Sequence, residues 1–258
     1  MKNAGMVDYE SILEEATDIA ERASSIALSY FRQAILIEMK ENHTPVTIAD
    51  KKTEEAIRNE LKKAFPGHGI LGEEFGEDAH TSDFVWTIDP IDGTRSFIRG
   101  IPLFGTLVGL LEKGEPVIGI MVLPALDETY VAAKGMGTFC DGVQLHASAT
   151  RSIESALVSC GDTSCFEAEG RKDYLTALID KAELVRGYTD CFGHSLVMRG
   201  AVDAMVDPTV SIWDVAPIAC LIKEAGGEYF TFEGEETVRG KSFITCTAAL
   251  KPDLLKLG

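Results

Sequence analysis

The chain has 258 residues, 41 acidic and 24 basic side chains, and a formal charge of -17 at neutral pH. That length holds one large domain or two modest lobes with a substantial core, and an apolar content of 45% is that of a soluble globular protein rather than a disordered one. The acidic balance argues against non-specific binding to nucleic acid or to an anionic membrane, since both need a basic surface.

Residues 1–9 lack the apolar segment of a signal peptide, and no apolar run approaches the ~20 residues of a membrane span, so a cytoplasmic protein is expected. Ile12, Ala16, Ile19, Ala23, Ile26 and Tyr30 recur at steps of four and three, one face of an amphipathic helix over residues 9–31. His43, Thr44 and Pro45 make a break. A second helix opens at residues 47–50, carries Ala56, Ile57, Leu61 and Ala64 on its apolar side, and is stopped by Pro66 and Gly67. Asp50 in its first turn suits the helix macrodipole whatever else it does. Residues 70–76 are a short apolar run ending in Glu73 and Glu74 between glycines. A solvated turn is the default there, and the glycines would also let the backbone bring Glu73 close to a site.

An apolar strand at residues 84–88 leads into Asp89-Pro90-Ile91-Asp92-Gly93-Thr94-Arg95-Ser96-Phe97. Pro90 cannot donate to a sheet ladder and biases Asp89 to an extended conformation. Asp89 is therefore expected at the end of the strand, with a turn after it and Asp92 as the N-cap of the next element. Two residues three apart in a strand point to opposite faces, whereas across a turn they can converge. Converging carboxylates beside free backbone N–H groups suit a cation and an anion together, which a metal ion and a phosphate supply.

Strands at 104–111 and 117–123 are joined by a hairpin at 112–116. Shorter strands at 129–133 and 138–140 flank the Gly135 and Gly137 turn, which lacks the strand-to-helix setting of a nucleotide loop. This first lobe reads as two helices on a mostly antiparallel sheet and ends near His146. Strands at 156–159, 184–186, 204–206, 228–232 and 243–246 then alternate with helices at 174–181, 193–199 and 215–225, an α/β lobe. The expected domains are thus 1–146 and 147–258. Asp214, in Trp213-Asp214-Val215-Ala216-Pro217, stands at a helix start, where capping is the plain reading. A functional role needs it to reach the first lobe's acids across a cleft, and spacing does not show that. The six cysteines, at 140, 160, 165, 191, 220 and 246, form no C-x-x-C pair and read as reduced core residues rather than zinc ligands.

Glu73-Glu74 after a glycine, Asp89-Pro90-Ile91-Asp92-Gly93-Thr94, and Trp213-Asp214-Val215-Ala216 with Glu224-Ala225-Gly226-Gly227 downstream resemble the inositol monophosphatase family. The motifs occur in that family's order and span essentially the whole chain. The resemblance implies a layered αβαβα sandwich with the site between two lobes. It implies a magnesium-dependent phosphomonoesterase with two or three Mg2+ ions per site, Mn2+ being an alternative. Glu73 is then a metal ligand, Asp89 bridges two metals, the Ile91 carbonyl binds one, and Asp92 and Asp214 bind the other. Thr94 orients the attacking water, and Asp50 pairs with Thr94, so that Thr94, Asp50 and Glu73 form the catalytic group. The Gly93 and Thr94 amides cradle the phosphate. A small-molecule phosphate monoester, a homodimer, and no nucleic-acid or membrane partner complete what the resemblance implies. The chemistry is consistent: crowded acids need cations, hard oxygen ligands fit magnesium, and water attacks phosphorus in line.

Arg95-Ser96-Phe97 stands where inositol phosphatases usually carry Thr-Asn-Phe. Together with residues 100–107 and 187–194 it resembles the histidinol-phosphate phosphatase branch. L-Histidinol phosphate carries an amine cation and an imidazole, so its pocket should offer acids beyond those taken by metal. Asp207, seven residues before Asp214, matches a substrate-contacting family position that is usually glutamate. Asp190 is a second candidate. Arg95 either pairs with a metal-site acid, touches a neighbouring subunit or is a plain surface arginine, and His194 reads as a capping or packed histidine. An inositol-1-monophosphatase is the alternative. A 3'-phosphonucleotide phosphatase and a binding module for a basic partner protein are further readings.

Overall fold

The computed structural model describes residues 7–40 and 45–258. The expected break at His43 and Thr44, and residues 1–6 of the stretch read for a signal peptide, lie outside the described residues. Helix α1 (Tyr9–Tyr30) begins where the Asp8 carboxylate accepts from Ser11 N, and it buries Leu13, Ala16, Ile19, Ala20, Ala23 and Ala27. Small residues on that face allow α2 (Ile48–Ala64) to pack closely against it. A ribbon of β1 (Ile37–Met39) and β2 (Pro45–Thr47) precedes α2, whose N-cap Thr47 accepts from Ala49 N.

The first sheet contains β3 (Gly69–Gly72), β4 (Gly76–Glu77), β5 (Phe84–Asp92), β6 (Gly105–Glu112), β7 (Glu115–Leu123), β8 (Glu128–Ala133), β9 (Gly137–Cys140) and β10 (Val143–Leu145). Its order is β10-β9-β8-β7-β6-β5-β3-β4, and only β3 and β5 pair in parallel. A short helix, α3 (Thr94–Phe97), follows β5. The second sheet contains β11 (Leu157–Cys160), β12 (Leu184–Arg186), β13 (Ala204–Asp207), β14 (Gly227–Phe230) and β15 (Phe243–Thr247), in the order β12-β11-β13-β15-β14. Helices α4 (Thr163–Ala168), α5 (Lys172–Lys181), α6 (Asp190–Met198), α7 (Ile212–Glu224) and α8 (Lys251–Leu255) alternate with these strands.

The apolar clusters define the layers. Ile19, Ile57 and Leu61 of α1 and α2 pack with Trp86, Ile88 and Ile118 on one face of the first sheet. Val197, Val215, Ile218 and Leu221 of α6 and α7 pack with Leu107 and Met121 of the first sheet and with Met205 and Phe243 of the second. Phe166, Leu178 and Leu254 of α4, α5 and α8 cover the outer face of the second sheet. The architecture is an αβαβα sandwich, as the motifs imply. Glu224 ties the layers, its carboxylate accepting from Gly135 N and Gly137 N at 2.8 Å each.

Three helices start two or three residues earlier than their apolar pattern suggests. α5 begins at Lys172, α6 at Asp190 and α7 at Ile212, each with an acid in its first turn, where the helix macrodipole favours one.

Candidate active site

Strand β5 does not end at Asp89 but runs on to Asp92. Asp89 pairs with Leu107 and Asp92 with Gly105, so three steps on β5 match two on β6. This is a bulge, and one extra residue flips the alternation of side chains. The acids therefore converge through a bulge rather than a turn. Pro90, which has no N–H to contribute, sits in it, and its carbonyl accepts from Thr106 Oγ1 at 2.9 Å. Nor is Asp92 an N-cap. Gly93, at φ +82, precedes α3, and Asp92 Oδ2 instead accepts from Cys191 N at the start of α6.

Asp214 completes the cluster. Carboxylate oxygens of Asp89, Asp92 and Asp214 all lie within 4.8 Å of one another. Asp214 is the third residue of α7 rather than its cap, and its Oδ2 accepts from Ser211 N at 2.7 Å. Asp50 holds the same place in α2, where its Oδ2 accepts from Thr47 N and Thr47 Oγ1. Asp50 Oδ1 is buried without a partner among the described residues. The hydroxyl of Thr94 donates to Ile91 O at 2.9 Å, so the pairing of Thr94 with Asp50 implied by the resemblance is not the one present.

Glu73 lies in the turn between β3 and β4. Its N–H donates to Ile88 O, one residue before Asp89, but its side chain stays outside the tight three-acid group. Lys40, which no sequence motif singles out, holds it: Nζ is 2.8 Å from Glu73 Oε1 and 2.7 Å from Glu74 Oε1. Burial pushes Glu74 up to about 7 in spite of that lysine.

On the other side of Gly93 lies a second group of acids. Asp190 adopts φ +58, a left-handed conformation costly for a non-glycine residue, and its Oδ2 accepts from Thr189 Oγ1. A Cβ on Gly93 would stand 2.9 Å from Leu103 O and 3.2 Å from Asp190 Oδ2, so only glycine permits this approach. Asp207 Oδ2 is 3.0 Å from His194 Nε2, and His194 Nδ1 is 2.8 Å from Thr245 Oγ1. His194 is thus packed, as expected, but it also orients Asp207. The sequence carried no periodic signal for that link. Arg95, Ser96, Arg99, Asp162, Thr189 and Asp190 line a cleft of about 300 Å3. A larger concavity of about 1030 Å3 beside α1 contains none of the site acids.

Burial, then Glu73, Asp92 and Asp214, raises Asp89 well above the ordinary carboxylate range. Burial, then Asp190 and Asp214, does the same to Asp92. Asp214 is pushed up to about 7 by burial, against the Ser211 N–H, with Glu73 adding to the rise. Asp190 is pushed up to about 6 by burial and by Asp207. Crowded acids held above their usual range lack positive charge. Among the described residues the group is three carboxylates, with no imidazole or thiolate in it. That set fits a hard divalent cation such as magnesium rather than zinc.

The sequence profile of the inositol monophosphatase family matches residues 8–257. The histidinol-phosphatase of Chlorobaculum parvum is 36% identical over 245 residues, covering 94% of this chain and 95% of that one. The histidinol-phosphatase of Mycobacterium tuberculosis is 36% identical over 246 residues, covering 93% and 95%. Among solved structures, the extragenic suppressor protein suhB of Bartonella henselae superposes with a TM-score of 0.89 at 26% identity, covering 96% of this chain and 98% of that one.

Proposed function

The chain belongs to the inositol monophosphatase family of metal-dependent phosphomonoesterases, and we propose that it hydrolyses L-histidinol phosphate to L-histidinol and phosphate. The observation that carries this reading is the second group of acids. Asp190 stands beside Gly93, and His194 orients Asp207. These acids are additional to Asp89, Asp92 and Asp214. A neutral polyol can use them only as hydrogen-bond acceptors, whereas an aminoalcohol with an imidazole also brings positive charge to match them. The two histidinol-phosphatase relatives support the same substrate.

In this reading Glu73, Asp89, Asp92, Asp214 and the carbonyl of Ile91 would hold Mg2+. Bound there, the cation supplies Lewis acidity, polarising the phosphoryl group and making water a better nucleophile. The amides of Gly93 and Thr94 receive the phosphoryl oxygens. Thr94 Oγ1 orients the attacking water. Once Ile91 O is engaged elsewhere, the unpartnered Asp50 Oδ1 is the acceptor we assign to that hydroxyl. Asp190 and Asp207 receive the cationic end of the substrate, and Arg95 lines the cleft with Asp190. No described helix is long and apolar enough to cross a membrane. A cytoplasmic homodimer is part of the proposal.

A phosphate-release panel at saturating Mg2+ tests it, with histidinol phosphate, inositol 1-phosphate, fructose 1,6-bisphosphate and 3'-phosphoadenosine 5'-phosphate as substrates. Histidinol phosphate should give the highest kcat/KM. A higher value on inositol 1-phosphate would replace this reading with the alternative.

A further inference from the structure

We infer that Glu54 and Arg58 form a buried clamp that fixes the turn bearing Glu73, and that the clamp sets the affinity of the site for its divalent cation. They are positioning residues. The inference rests on Glu73 being a metal ligand, as proposed above.

Asp50, Glu54 and Arg58 follow one another at steps of four and so share one face of α2. The apolar pattern of that helix gives no reason for Glu54 to be buried, yet it is 0% exposed, and Arg58 is 5% exposed. Glu54 Oε2 accepts from Glu74 N at 2.6 Å, and Oε1 accepts from Phe75 N at 3.3 Å and from Arg58 Nε at 2.7 Å. Arg58 Nη2 donates to Gly76 O, and Nη1 is 3.3 Å from Asp78 Oδ1. One helix thereby holds both ends of the turn. Glu73 N, bonded to Ile88 O at 3.1 Å, fixes the same turn to β5 beside Asp89.

The backbone makes room for this arrangement. A Cβ on Gly72 would stand 2.0 Å from Glu54 Oε1 and 2.6 Å from Glu54 Cδ, so the carboxylate occupies space that any other residue would fill. A buried ion pair is a poor device for stability alone, because desolvating two charges carries a penalty that apolar packing would not. What the pair adds is direction: charge-assisted bonds to named amides and a carbonyl hold a turn in one geometry. Outer groups that orient a metal ligand typically govern its metal affinity about 10- to 100-fold, and Glu54 does so through the backbone of the turn rather than through the Glu73 carboxylate.

The test is Mg2+ binding by calorimetry to the purified full chain, with circular dichroism to confirm folding. Glu54→Gln places an NH2 against an N–H or the guanidinium, and Glu54→Asp withdraws the carboxylate by one methylene. Each should weaken Mg2+ at least about tenfold. The Mg2+ concentration for half-maximal phosphate release should rise in step, with kcat at saturating metal changing far less. Folded variants that bind Mg2+ as wild type does would overturn the clamp. Glu73→Gln is the control: wild-type binding there overturns the ligand assignment, whereas weakened binding there with unaltered Glu54 variants overturns the clamp alone. Should the Glu54 variants fail to fold, hydrogen exchange on the metal-free wild type decides. Glu74 and Phe75 amides protected like those of β5 support the clamp, and exchange at open-loop rates overturns it.

Discussion

Asp50 and Asp214 occupy the third position of two different helices, and each uses Oδ2 to accept the N–H of the residue before its helix, Thr47 at 2.8 Å and Ser211 at 2.7 Å. The bond fixes the side-chain rotamer and takes up only one of the two carboxylate oxygens. A helix terminus is thus a rigid mount for an acid as well as a favourable place for one.

The two roles of Asp214, holding Ser211 N and carrying charge, separate by substitution. Asp214→Asn keeps an oxygen for Ser211 N but removes the charge. Its kcat/KM should fall about 10³-fold, a barrier increase of ~4 kcal/mol. The melting temperature of the metal-free variant should not fall, because a repelled buried charge has gone. Asp214→Ala loses the bond to Ser211 as well, and should cost about 1 kcal/mol of stability. An Asp214→Asn enzyme with a tenth or more of wild-type activity would remove Asp214 from the site.

Asp214, ordinarily at 3.8, is pushed up to about 7 in the folded protein. The folded state therefore binds more protons than the unfolded one between those values. The resulting stability is fully present below the unfolded value and is lost as pH rises through about 7. In a chelator, the melting temperature should rise on acidification from pH ~8 to ~5.5. Protons and Mg2+ compete for the same oxygens, so the gain in melting temperature on adding Mg2+ should be greater at the alkaline end. A metal-free melting temperature that falls on mild acidification would contradict the assigned directions.

His194 bridges Thr245 and Asp207 in the interior. His194→Phe leaves both without their partner, costing about 1–3 kcal/mol of stability. Since Asp207 loses its orientation while Asp89, Asp92 and Asp214 keep theirs, KM for histidinol phosphate should rise more than kcat falls. Equal KM values in variant and wild type would separate Asp207 from substrate binding.

Gly93 combines φ +82 with a backbone oxygen 2.9 Å from where a Cβ would sit. Gly93→Ala should lose roughly 1–2 kcal/mol from the left-handed conformation alone. Phosphate release should fall more than stability does, because the adjoining amides shift. A variant with normal stability and normal turnover would show that this turn tolerates a side chain.

Much of this site was legible as residue types in order. Asp89, Asp92 and Asp214 stood out by their motifs, and the structure gathers them. How they meet was not legible. A bulge depends on the register of β6 against β5, which is a property of two strands and not of the Asp89–Asp92 stretch. Periodicity reports the apolar residues of α2 and is blind to a buried polar stripe such as Glu54 and Arg58. Their spacing from Asp50 was the available signal. Lys40 and the His194–Asp207 link join segments distant in the chain, and no local pattern encodes such contacts.

A competition experiment distinguishes the two candidate substrates. Histidinol phosphate and inositol 1-phosphate are mixed at equal concentration with Mg2+ and enzyme, and the loss of each is followed by mass spectrometry. The ratio of consumption rates is the ratio of kcat/KM values. Histidinol phosphate should be consumed at least about tenfold faster, the discrimination that ~1.4 kcal/mol provides. Equal consumption, or faster loss of inositol 1-phosphate, would contradict the assignment of Asp190 and Asp207 to a cationic substrate.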